Sequence, residues 1–285
     1  MPSLPLFSNP AARRPLASAP FPASASGGRL AALPQLAEVT PASQLTVRPA
    51  PEMVPSGVRE IDALTGGLPR GSLTEVCGPV SSGRTSLLLA VLASATQRQE
   101  ACALVDVSDA FDPVSAAMAA VNFESLLWVR CGVQQTTAVR RKNKAHGASR
   151  ACDNVEQALR VTDLLLQSGG FGLVTIDLGD VPLKFARRIP LTSWFRFQRA
   201  IERTPTVLFV VTQSPCAQTC AALLLKMQAG KKLSAFGSQP SEKLLAHTEL
   251  LNDLQVETEI LRLRMPRKPA QSVTAIFSTQ TVRAG

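Results

Sequence analysis

LTEVCGPVSSGRTSLLLA, residues Leu73–Ala90, passes from a β-rich apolar run ending at Cys77, through a glycine-bounded turn, into an apolar run of helical length. The turn reads Gly78-Pro79-Val80-Ser81-Ser82-Gly83-Arg84-Thr85, followed by Ser86. This is G-x-x-x-x-G-[K]-[ST] in a strand–loop–helix context, with arginine where the motif has lysine. In such a loop the glycines let the backbone wrap so that its N–H groups point at phosphate oxygens, and the next helix adds a favourable dipole. Gly78 to Ser86 are therefore candidate nucleotide-binding residues, with the Thr85 hydroxyl placed for a magnesium ion. Arg84 is the departure. Lysine is a compact point charge, whereas guanidinium is larger, planar and always charged. It can hold phosphate, but its shape is expected to misplace a terminal phosphate for hydrolysis. An ordinary Gly/Ser turn is the other way to read the stretch.

A nucleotide site of this kind needs a second half, an acid at the end of a buried strand that organises the metal. Gly172-Leu-Val-Thr-Ile-Asp177 supplies one. A strand-end aspartate can also be a mere cap, but its pairing with the loop upstream favours Asp177, together with Thr85, as a magnesium ligand.

Outward from these two motifs, short apolar runs alternate with helix-like segments. Strands are expected at Leu73–Cys77, Cys102–Val107, Leu126–Cys131, Leu173–Asp177 and Val207–Thr212, and helices at Ser86–Thr96, Pro113–Ala120, Asn154–Gln167 and Thr192–Glu202. Asp112-Pro113 suits the start of one helix and Asp153 with Glu156 another. The alternation implies an α/β fold with a mainly parallel sheet and helices on both faces. Leu254–Arg264 and Ser272–Ser278 resemble two further strands, an antiparallel extension at the C-terminal end. Two insertions interrupt the rhythm: Val139–Arg150, with five Lys/Arg and no acid, and Ala229–Ser241, rich in Gly, Ser and Lys. Each reads as a solvated loop, and the first also as a phosphate-backbone contact through Arg140, Arg141, Lys142 and Lys144.

Of 21 prolines, 11 fall in the first 55 residues, where Glu38 is the only acid before Glu52. Residues 1–52 are expected to be a disordered Pro/Ala-rich leader, and 53–285 one nucleotide-binding domain. The prolines break the apolar run that a signal peptide needs; an organellar transit peptide is the other reading. Of the 285 residues 45% are hydrophobic and 18% charged, which rules out wholesale disorder. No run of apolar residues is long enough to span a bilayer, so no membrane association is expected. Six scattered cysteines form no metal or disulfide framework and suit a reducing cytoplasm. A formal charge of +9 suits an anionic partner.

The ordered set Val54-Pro-Ser-Gly-Val, Asp62-Ala-Leu-Thr-Gly-Gly-Leu-Pro-Arg-Gly71, the phosphate loop, Leu104-Val-Asp-Val-Ser-Asp-Ala-Phe-Asp-Pro113, the Asp177 strand and Val207-Leu-Phe-Val-Val-Thr-Gln213 resembles the RecA-type recombinases. Within that group the chain is most similar to the ImuA-type accessory proteins of bacterial mutagenic repair. The resemblance implies a RecA-like P-loop fold, ATP and Mg2+ as cofactors, single-stranded DNA as a partner, homo-oligomerisation, and contacts with recombinase or translesion-polymerase subunits. It gives Asp112 the adenine contact, Asp177 the metal-organising role and Gln213 the sensing of the terminal phosphate. Three positions depart from it. Arg84 replaces the phosphate lysine. Ser108 replaces the water-activating glutamate, with Asp109 as a partial substitute. Ser115 replaces an adenine-stacking tyrosine, and the chain has no tyrosine.

After Asp177 come Lys184, Arg187 and Arg188, then Trp194-Phe195-Arg196-Phe197. Cations interleaved with aromatics suit single-stranded DNA, and the same spacing suits the buried stripe of an amphipathic helix. The glycine-rich loop of active recombinases is missing after Gln213. Three functions follow: an accessory factor of SOS-induced translesion synthesis with a degenerate P-loop, an ATP-dependent single-stranded-DNA-binding recombinase or DNA-stimulated ATPase, or a nucleotide-binding regulator unrelated to DNA.

Overall fold

The runs Cys102–Asp106, Leu173–Asp177 and Val207–Thr212 are apolar at nearly every position rather than at alternate ones, the mark of strands covered on both faces. The computed structural model describes residues 50–131, 147–230, 253–264 and 274–280, all within the unit Ala50–Gly285. Residues 1–49 of the expected leader, the cations Arg140, Arg141, Lys142 and Lys144, and the Gly/Ser/Lys insertion from residue 231 onward lie outside the described residues.

An antiparallel ribbon of β1 (Met53–Val54) and β2 (Leu68–Pro69) brackets helix α1 (Arg59–Thr65). There follow β3 (Ser72–Cys77), α2 (Arg84–Gln97), β4 (Cys102–Asp106), α3 (Pro113–Met118), β5 (Leu126–Arg130), α4 (Gly147–Ser168), β6 (Leu173–Asp177), α5 (Leu183–Ala186), α6 (Leu191–Ile201), β7 (Val207–Thr212), β8 (Ala221–Ala229), β9 (Asp253–Leu263) and β10 (Thr274–Gln280). Eight strands form one sheet in the order β10-β9-β8-β3-β7-β6-β4-β5. From β8 to β5 every neighbour is parallel, and β9 and β10 add on antiparallel. The expected C-terminal antiparallel extension is present.

Period-two alternation along each strand sends successive side chains to opposite faces. Ala103, Val105, Val174, Ile176, Leu208 and Val210 meet one set of helices, with Val155 and Ala158 of α4, Phe185 of α5 and Trp194, Phe197 and Ile201 of α6. Leu104, Leu173, Phe209 and Val211 face the other way, onto Ile61 of α1 and Leu87, Leu88, Val91 and Leu92 of α2. Full burial of one such large side chain contributes roughly 1.5–3 kcal/mol, so these two layers fix which strand ends meet.

One sequence expectation needs correction, and one strand lies outside those expected. Helix α4 begins at Gly147, so Asp153 lies inside it and does not cap it. The Ala148–Ala151 stretch contains good helix formers, which extend the helix upstream. Strand β8 was not foreseen. AALLLKMQA has helix-forming residues, yet it pairs with both β3 and β9, and tertiary pairing overrides propensity.

Candidate functional site

The parallel strands place their carboxyl ends at one edge of the sheet, where open α/β sheets bind ligands. Cys77 hands the chain to the glycine loop, Asp106 and Asp177 end β4 and β6, and Thr212 ends β7. Gly78 and Gly83 are there for backbone reasons. A side chain at Gly78 would run into the Met227 carbonyl and Ser82 Oγ. Gly83 has φ +84, and a Cβ there would lie 2.5 Å from Val256 Cγ2 of β9. The antiparallel extension thus supports the loop from beneath. Ser81 is left-handed too, at φ 60. Val80 is exposed, while Ser82 is buried with its Oγ lacking any hydrogen-bond partner.

Beside the loop is a cleft, partly open to solvent, lined by Arg84, Thr85, Phe111, Asp112, Ser115, Asp177 and Asp180 among others. Of the residues expected from sequence, the fold therefore brings Arg84, Thr85, Asp112, Ser115 and Asp177 into one cleft. Asp180 was missed; the signal was its position three residues after the strand-end acid.

Arg84 is buried, and its Nη1 donates to the carbonyls of Thr212 (2.9 Å) and Gly179 (3.1 Å). Burial lowers the guanidinium's pKa, opposed by the charges of Asp177 and Asp180. The Asp177 carboxyl is pushed up to about 6, first by burial and then by Asp106 and Asp180, against the Gly179 N–H that donates to it at 2.8 Å and the charge of Arg84. Gln213 Nε2 donates to the same Gly179 carbonyl (3.0 Å) and to that of Val181 (3.3 Å). Asp112 caps α3 by accepting from the Val114 and Ser115 amides and the Ser115 hydroxyl, and these bonds, the hydroxyl foremost, hold its pKa down.

Ser108 and Asp109 stand outside the cleft. Ser108 is exposed, and both Asp109 oxygens are held by Arg130 at 2.6 and 2.8 Å, which lowers the Asp109 pKa. The Arg130 guanidinium also covers the Trp128 ring at 4.8 Å. Further round, Lys184, Arg187 and Arg188 are exposed on and just after α5. Trp194 and Phe197 are fully buried, so they form the core stripe of α6 and not a stacking platform; Phe195 is the exposed ring. Arg196 is paired with Asp163 at 2.8 Å.

Two carboxylates that organise this region were not recognised from sequence. Asp106 accepts from the Ala110 and Phe111 amides and from Trp128 Nε1, fixing the loop that carries Asp112. Glu75, fully buried in β3, accepts from the Cys216 and Ala217 amides and the Thr212 hydroxyl, clasping the turn after β7. A lone acid inside an apolar strand was the available signal.

The donor set fits a magnesium nucleotide. Ser82 Oγ is an orphaned donor within the loop, and Thr85 and Asp177 supply oxygen ligands of the kind magnesium takes. Three carboxylates line the cleft beside one guanidinium, so a polyphosphate there would be repelled unless a divalent cation offset the charge.

A strand–glycine-loop–helix unit with a strand-end acid beside it, set in a mainly parallel sheet covered by helices on both faces, is a RecA-like P-loop fold. Sequence comparison points the same way: residues 44–138 match the RecA N-terminal domain family. The chain is 31% identical over 178 residues to protein RecA of Methylococcus capsulatus, covering 57% of this chain and 45% of that one. Over 112 residues it is 38% identical to protein RecA of Ectopseudomonas oleovorans, covering 39% and 26%. Against protein RecA of Deinococcus radiodurans the figures are 36% over 128 residues, 44% and 30%. The matched stretch spans less than half the length of these curated relatives.

Proposed function

We propose that this chain is a RecA-like DNA-repair protein that binds ATP weakly, with Mg2+, and acts in the cytoplasm as an accessory factor of SOS-induced, mutagenic translesion synthesis. The observation that carries the reading is the division within the site. The recognition residues Thr85, Asp112 and Asp177 share one cleft, while the positions read as water-activating are turned elsewhere, with Ser108 in solvent and Asp109 locked to Arg130. A general base must reach its water, and neither residue lines the cleft. A RecA-like sheet that does not turn over ATP still offers surfaces on which recombinase or polymerase subunits, or a second copy, can dock. The exposed Lys184, Arg187 and Arg188 suit single-stranded DNA, and a Pro/Ala leader suits a tether that raises effective concentration.

Two measurements test this. ATP turnover with and without single-stranded DNA should stay on the order of 10²–10⁴ below that of an active recombinase, as loss of a general base predicts. In a deletion strain, damage-induced mutagenesis should fall while homologous recombination persists. The second reading, a DNA-stimulated ATPase or recombinase, draws on the same cleft; brisk DNA-stimulated turnover, or loss of recombination with mutagenesis intact, would establish it instead.

A further inference from the structure

The Arg84 side chain has a use that phosphate binding alone does not explain. Its guanidinium spans the gap between the first turn of α2 and the ends of two strands, taking the Thr212 carbonyl at the end of β7 and the Gly179 carbonyl just past β6. Both acceptors are shared. Thr212 O also receives the N–H of Gly78, the first glycine of the loop, and Gly179 O also receives Gln213 Nε2. Arg84 is 7% exposed, so these are buried bonds to a charged donor, stronger than neutral ones and costly to break without replacement.

We propose that Arg84 is an internal latch: its guanidinium closes the glycine loop onto Gly179 and Thr212, and an end-on grip on phosphate through both terminal nitrogens requires it to leave these carbonyls. The proposal rests on reading Gly78–Thr85 as a phosphate cradle. A guanidinium has five N–H donors in a fixed fork, and Nη1 is here committed to two backbone acceptors, so a phosphate taken end-on through Nη1 and Nη2 needs a donor that the backbone already holds. Phosphate therefore competes with the protein's own backbone for one cation. Release would leave Gly179 O to Gln213 alone and free the segment Leu178–Val181, so occupancy of the loop is transmitted to the turn after β7 through a shared acceptor. Lysine at this position carries three rotatable donors on a compact head rather than a planar fork, and it would hold the two carbonyls less firmly while keeping the charge for phosphate.

The test compares the full-length chain with its Arg84→Lys variant by calorimetric titration with MgATP and by thermal unfolding without nucleotide. The expected result is a lower melting temperature for the variant and an MgATP affinity at least tenfold tighter than wild type. Equal affinities overturn the latch alone, because the cradle would then bind without competition. Binding by neither protein overturns the latch and the cradle together. If the variant fails to fold, hydrogen exchange on the wild type decides. Saturating MgATP should speed exchange at Leu178–Val181 and at Gln213, whereas slower or unchanged exchange there overturns the latch.

Discussion

Asp106 and Asp177 stand opposite each other in the register of neighbouring strands β4 and β6, yet their carboxylates are used in different ways. Three donors, the Ala110 and Phe111 amides and Trp128 Nε1, converge on Asp106. Asp177 accepts from the Gly179 amide and otherwise faces the cleft. One acid of the pair is a structural clasp whose charge bears on the other, and the other is left available to a ligand. The pair arises because two parallel strands of equal length end at the same level.

Asp106→Asn should therefore loosen the loop that carries Phe111 and Asp112. An amide nitrogen would face a backbone N–H that now meets an acceptor, and a buried unsatisfied donor costs about 1–3 kcal/mol. Urea denaturation should show that loss, together with faster exchange of the Ala110 and Phe111 amides. A variant as stable as wild type would mean the clasp contributes nothing.

Glu75 predicts a pH effect with a definite sign. Burial, opposed by the Cys216, Ala217 and Thr212 donors, raises its pKa above the ordinary 4.5. The folded state then holds the proton more tightly than the unfolded chain, so stability falls as pH rises from 4.5 through the folded value. Glu75→Gln removes this slope and leaves one amide of the Cys216–Ala217 turn unsatisfied. The wild-type advantage over Glu75→Gln, measured by denaturation across a pH series, should be largest at the acid end and shrink toward neutrality. A gap independent of pH would count against the raised carboxyl.

Trp194 and Phe195 are adjacent in sequence and opposite in consequence. Trp194 is fully buried and packs edge-on to Phe197 at 6.0 Å, while Phe195 is 51% exposed. Trp194→Ala should cost about 3–5 kcal/mol of stability, as large-to-small changes of core aromatics do. Phe195→Ala should stay within about 0.5 kcal/mol. If a base stacks on α6, Phe195→Ala will also weaken single-stranded DNA binding at unchanged stability.

The exposed cations give the DNA proposal a quantitative form. Replacing Lys184, Arg187 and Arg188 together by serine should flatten the salt dependence of single-stranded DNA binding by up to about two log–log units, at about 0.7 per phosphate contact. The same change at Arg140, Arg141, Lys142 and Lys144 should remove up to about three. Whichever set leaves the slope unaltered is not a phosphate contact.

The sequence by itself determined the loop, the strand-end Asp177, the Asp112-Pro113 helix start and the mainly parallel sheet. Each is written in residues close together in the chain, as a glycine spacing, a cap, or an apolar run between turns. Strand β8 and the true start of α4 escaped because propensity is weak beside pairing and packing. Tertiary structure alone decided the partners of the charged groups. Arg84 meets carbonyls 95 and 128 residues away, and Glu75 clasps amides 141 and 142 residues on. Asp109 has the residue type to substitute for a water-activating glutamate, but the fold brings Arg130 to it from the edge strand. Local pattern sets where an ionisable side chain begins. Only the meeting of distant strand ends sets what it touches, and whether it is free to do chemistry.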